Sequence, residues 1–123
     1  MKKPDKDEER EERIIMEVVV DAYDTEERAM GWYYYIAETI QFPFSAKCKS
    51  RRATSPLKIG DTVKVIEIAE ASECQREIFV SIRWGDDTLA IPLSQIEIVE
   101  AEDDEAIQAI EDWHYWMEMG YEF

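Results

Sequence analysis

The chain has 123 residues, with 29 acidic against 14 basic side chains and a formal net charge of −15; phosphate backbones and anionic bilayers are met by clustered Lys and Arg, so nucleic acid and membrane surfaces are not the expected partners. A hydrophobic content of 46%, with four Trp and six Tyr, is too rich for a disordered acidic tail and fills one core, which makes residues 1–123 a single domain. No apolar run approaches the roughly 20 residues of a membrane span. The N-terminus leads into charge rather than a signal region, and Cys48 and Cys74 have neither framework nor metal-ligand spacing, so reduced structural thiols and a cytoplasmic location are expected.

The acidity sits at the two ends. Lys plus Arg number 6 against 12 acids in residues 1–40, 8 against 8 in residues 41–98, and 0 against 9 in residues 99–123. Residues 1–13 are nearly all charged and read as a solvated lead-in. Ile14, Ile15, Val18 and Val19 share a helical face, which predicts a helix to about Ala22 in spite of the β-branched run Val18-Val19-Val20. Asp24 followed by Glu27 has capping-box spacing and opens a second helix over about 25–40, completing a helical arm over residues 14–40. Its expected buried stripe is Ala29, Tyr33, Ile36 and Ile40, with Asp24, Glu27 and Glu38 opposite and Gly31 allowing another element to approach. The aromatic run from Trp32 to Tyr35 reads as packing.

Pro43 ends that helix, because the residue before a proline is pushed out of the α region. Strands are predicted over 44–51, 63–68, 77–84, 88–93 and 97–100, with turns at 55–61 and 85–87 and a 3₁₀ turn at 94–96. Five short strands within residues 41–98 predict an SH3-like five-stranded β-barrel. Asp103 and Asp104 then offer an N-cap to a last helix whose apolar face runs through Ile107, Ile110, His114, Met117 and Tyr121, widened by Trp113 and Trp116. Glu111, Glu118 and Glu122 form an acidic edge beside it, with Asp112 on another side. The expected class is α+β, a barrel flanked by acidic N-terminal helices and a C-terminal helix.

Catalysis finds little support in these residues. His114 is the single histidine and stands between Glu111 and Glu118 at helical spacing, where a surface ion pair accounts for it. There is no Gly-rich phosphate loop and no GxSxG elbow, so an enzyme is not expected. Hard cations fit better, since calcium takes six to eight oxygens at about 2.3–2.6 Å and gathers them from separate elements, although no EF-hand loop is present. Like charges about 4 Å apart repel by roughly 1 kcal/mol in water and more near a protein surface. The last helix has no base to relieve that repulsion.

Several strings in one order extend this reading: Asp21-Ala22-Tyr23-Asp24, Ala29-Met30-Gly31-Trp32-Tyr33-Tyr34-Tyr35, Gln41-Phe42-Pro43-Phe44, Ser55-Pro56-Leu57, Ile91-Pro92-Leu93-Ser94-Gln95 and Glu111-Asp112-Trp113-His114-Tyr115-Trp116. With them the chain resembles the small calcium-binding proteins of the cyanobacterial type. The resemblance implies Ca2+ binding by surface carboxylates, with a buffering or signalling role, and Asp21, Asp24, Glu111 and Asp112 match by motif. Where that family often has adjacent acids after the aromatic run, this chain has Ala37-Glu38-Thr39. The expected metal-binding residues are Asp21, Asp24 and Glu27 in one patch, and Glu38 with Glu111, Asp112 and Glu118 in another. Asp24 and Glu38 are about 21 Å apart along one helix, too far to share an ion. The alternative function is an interaction module whose acidic face takes a basic protein partner.

Overall fold

The computed structural model describes residues 5–20, 22–53, 55–74, 76–99 and 104–120. The later part of the charged lead-in is helical: Glu8–Arg13 forms a short helix, α1, whose N-cap Asp7 accepts a hydrogen bond from the Arg10 backbone N–H. The expected helix beyond it widens into a π-turn over Ile14–Val18, closed by a bond from Val19 N to Ile14 O at 3.0 Å. Val19, with φ −108° and ψ 22°, has left helical geometry, so the arm stops short of Ala22. Ile14 and Val18 are buried as the periodicity predicts, while Ile15 is 54% exposed.

Helix α2, Thr25–Thr39, starts on Asp24, whose side chain accepts from the Glu27 backbone N–H. Ala29, Trp32, Ile36 and Ile40 are buried, so Trp32 takes the central place expected of Tyr33, which is only partly buried. Gly31 has the role its position suggested: a Cβ there would lie 2.3 Å from the Val18 carbonyl oxygen, so this glycine lets the π-turn lie directly on α2.

The strands are β1 Phe44–Cys48, β2 Thr62–Ile68, β3 Phe79–Trp84, β4 Asp87–Pro92 and β5 Ile96–Ile98, in the antiparallel order β4-β3-β2-β1-β5. Their alternating residues Val63, Val65, Val80, Ile82 and Ile91 are buried on one face. The register of β2 on β3 shifts between Val65 and Glu67, a bulge that bends the sheet. Among the described residues β4 and β5 do not pair, so the sheet is open, and the closed barrel expected from the sequence is not formed.

Helix α3, Asp104–Glu118, lies against both α2 and β5. Trp113 and Trp116 pack at 5.0 and 5.6 Å from the Trp32 ring, which locks α2 to α3 through aromatic edges. The buried set is Ala106, Ala109, Ile110, Asp112, Trp113 and Tyr115: Ile110 and Trp113 lie on the face expected from the sequence, and the other four widen the arc beyond it. Asp103, Tyr121 and Glu122 lie outside the described residues. No helix among the described residues is long and apolar enough to cross a membrane.

Candidate metal centre

At the start of α2, Asp24 and Glu27 are one helical turn apart and both exposed. Asp24 Oδ1 takes the Glu27 N–H at 2.8 Å and Glu27 Oε2 takes the Tyr23 N–H at 3.2 Å, so each carboxylate engages the backbone through one oxygen. Asp21, the third member expected here, lies outside the described residues. Glu38, four turns on, is exposed near the other end of α2.

The acids of α3 divide into two kinds. Glu111 and Glu118 are 60% and 53% exposed and reach their nearest bases loosely, Arg10 at 3.7 Å and Lys49 at 3.6 Å. Asp112 is wholly buried. Its Oδ1 receives Arg10 Nη1 and Arg13 Nη2, both at 2.6 Å, and its Oδ2 receives Arg13 Nε at 3.2 Å and the Tyr35 hydroxyl at 3.1 Å. A carboxylate has about four lone-pair positions, and all are taken. The neighbouring charge raises the Arg13 pKa, chiefly through its hydrogen bond to Asp112, and burial followed by the same carboxylate raises that of Tyr35. Tyr115 completes the clamp, donating to Glu11 Oε2 at 2.6 Å and accepting from Asp7 N at 3.0 Å.

Asp112 therefore fixes α1 to α3 in this structure and presents no oxygen to a metal. The signal for this was in the sequence: Arg10 and Arg13 share one face at i and i+3, and a final helix without bases must draw its counter-charges from elsewhere. His114 also departs from expectation. It is not paired with Glu111 or Glu118; its Nε2 donates to the Ile96 carbonyl of β5 at 2.8 Å, and burial, reinforced by Lys49, lowers its pKa to about 4. The imidazole is neutral at pH 7.

The carboxylates do not form a preformed cage: among the described residues no three acidic, histidine or cysteine side chains converge to hold a metal ion. Their chemistry nevertheless fits a hard, oxygen-seeking cation, because calcium accepts mono- or bidentate carboxylates and completes its shell with backbone oxygens and water. Both cysteines are buried thiols outside any disulfide: Cys48 donates to the Ser50 carbonyl at 3.1 Å, and Cys74 accepts from the Phe79 backbone N–H at 3.4 Å.

Comparison with known proteins gives a consistent picture. A family model described as calcium binding, that of the CcbP proteins, matches residues 12–117. The crystal structure of Anabaena CcbP is 43% identical to this chain, covers 100% of both chains and superposes with a TM-score of 0.87. A calcium-binding protein solved in its calcium-binding form is 41% identical over 100% of both chains, with a TM-score of 0.86. No curated protein matches the chain.

Proposed function

The chain belongs to the CcbP calcium-binding family, and on that premise we propose that it is a non-enzymatic Ca2+-binding protein that takes the ion on surface carboxylates rather than in an EF-hand loop. The observation that carries this reading is the contrast between exposed and buried acids. Asp24, Glu27, Glu38, Glu111 and Glu118 are exposed, with backbone contacts or loose ion pairs that a divalent cation replaces at little cost, whereas Asp112 is spent on α1. The N-terminal patch is Asp24 and Glu27, with Asp21 adjacent in sequence. The second draws on Glu38 and on Glu111 and Glu118 of α3. Binding at dispersed surface acids suits a calcium buffer or a calcium-signalling component, and two buried thiols support a reducing, cytoplasmic setting. The strand order, with a 3₁₀ turn over Leu93–Gln95 between β4 and β5, supports reading the sheet as an SH3-like variant.

Calorimetric titration with calcium in moderate salt tests the two patches. Asp24→Asn preserves the N-cap, since Asn caps as well as Asp, and should weaken one binding event while sparing the other; Glu38→Gln should do the reverse. Equal weakening of one shared transition by both substitutions would merge the patches into one. Binding that is weak, unsaturated and suppressed by salt in the unsubstituted protein would remove the metal function itself.

A further inference from the structure

Three hollows run end to end beside α2. The first, about 340 Å³, lies between Val20 and Met30, with Glu26 and Glu27 on its wall. Glu26 and Met30 also line the second, about 510 Å³, which reaches Tyr33 and the 3₁₀ turn beginning at Ala71. Tyr33 in turn borders the third, about 440 Å³, beside Ile68, Glu67 and Glu70 at the end of β2. Glu26 and Met30 divide the first hollow from the second and Tyr33 the second from the third, so the three adjoin as a segmented groove. Four carboxylates line it, and the described lining residues include no Lys, Arg or His.

This is the wrong shape for a single ion. Calcium gathers its oxygens at about 2.5 Å around one point, and no three acids among the described residues do so. The groove floor is also wrong for a hard cation: Val20 is 52% exposed, and Met30 and Tyr33 are half-buried. A thioether and an aromatic ring are adaptable contacts for apolar side chains. The four glutamates are exposed along the rim, where Lys or Arg can lay its aliphatic stem on the floor and keep its charged head in water. From Glu26 to Tyr33 the groove follows about 10 Å of helix, a length that matches a short peptide segment.

We propose that this groove docks a basic amphipathic segment of a partner protein, its Lys and Arg side chains meeting Glu26, Glu27, Glu67 and Glu70 and its apolar side chains resting on Val20, Met30 and Tyr33. Charge complementarity names the partner, since a row of like charges with no base among the lining residues favours opposite charges and repels acidic segments. The docking does not depend on the metal reading, although Glu27 belongs to both surfaces.

Fluorescence anisotropy with a labelled amphipathic Lys–Leu peptide, in about 0.15 M salt where the screening length is about 8 Å and with EDTA present, tests the groove apart from calcium. The expected result is saturable one-to-one binding that weakens about tenfold when Leu is replaced by Ser at unchanged peptide charge. The double variant Glu26→Lys, Glu70→Lys should weaken binding at least as much, whereas Glu9→Lys, Glu12→Lys on the exposed side of α1 should leave it within about threefold. Equal binding of the two peptides, equal weakening by the two double variants, or absence of saturation would each overturn the proposal. Displacement of the peptide by spermidine at equal charge would reassign the groove to a small polyamine and overturn it as well.

Discussion

Each oxygen of the Asp112 carboxylate receives two donors, and this one side chain decides where α1 sits. The helix has six residues, all charged and none buried, so neither propensity nor an apolar face holds it in place. Removing one partner of a buried ion pair costs about 3–5 kcal/mol, because the remaining charge is left uncompensated. Here Arg10 and Arg13 keep 22% and 24% side-chain exposure and can partly rehydrate. Asp112→Asn should therefore lower stability towards the bottom of that range, about 3 kcal/mol, with the amides of α1 exchanging faster with solvent while the number of calcium binding events stays the same. Urea denaturation with hydrogen exchange checks this; an unchanged urea midpoint would show that the clamp contributes nothing. Asp24→Asn, at an exposed cap, should leave the midpoint near that of the parent protein.

At the scale of elements, the contact between the π-turn and α2 is set by the absence of a side chain. Replacing a helical Gly by Ala gains about 1 kcal/mol of propensity, so Gly31→Ala would stabilise an isolated α2. In the folded protein the new methyl meets the Val18 carbonyl oxygen at 2.3 Å, a backbone atom that cannot swing aside. Overpacking of this kind costs about 1–3 kcal/mol and also prises Val18 from the core, so the net effect should be destabilising by about 1–2 kcal/mol; a thermal melt that rises instead would show that the π-turn is free to move. Gly31 was legible because it lies on the acidic side of α2, between Asp24, Glu27 and Glu38, where the lack of a side chain leaves room for another element. The strands were legible for a similar reason, the period-two alternation of Val63 with Val65 and of Val80 with Ile82, and the observed strand ends lie within a few residues of those expected. Periodicity failed for α1 and gave only part of the buried face of α3, where Ile110 and Trp113 are buried as expected. In α1, distant ion pairs rather than apolar spacing create the order. In α3, packing on α2 from one side and β5 from another buries Ala106 and Ala109 as well as Trp113, so no single stripe describes it. The same cause concealed Asp112 among the acids: spacing shows that a carboxylate lies on a helix, while its burial follows from α1, 99 residues or more away in the chain.

Over the whole molecule, a net charge of −15 works against the compact state through self-repulsion; acid relieves that repulsion, and His114 opposes the trend. Its folded pKa, about 4, lies below the ordinary histidine value of 6.5, so between these values the unfolded chain binds the proton and the folded one does not. Stability then rises with pH through this window and is lost as pH falls from 6.5 towards 4, the unfolded state gaining about 1.4 kcal/mol per unit. Most carboxylates titrate below about pH 5, which leaves the interval from 6.5 to 5 to the histidine. Stability measured by urea denaturation should fall by about 2 kcal/mol across that interval. His114→Gln keeps an N–H donor for the Ile96 carbonyl without a titrating group, so its profile should be nearly flat over the same range. If the variant and the parent protein fell together, the acid sensitivity would belong to the carboxylates, and the buried imidazole between α3 and β5 would not be its source.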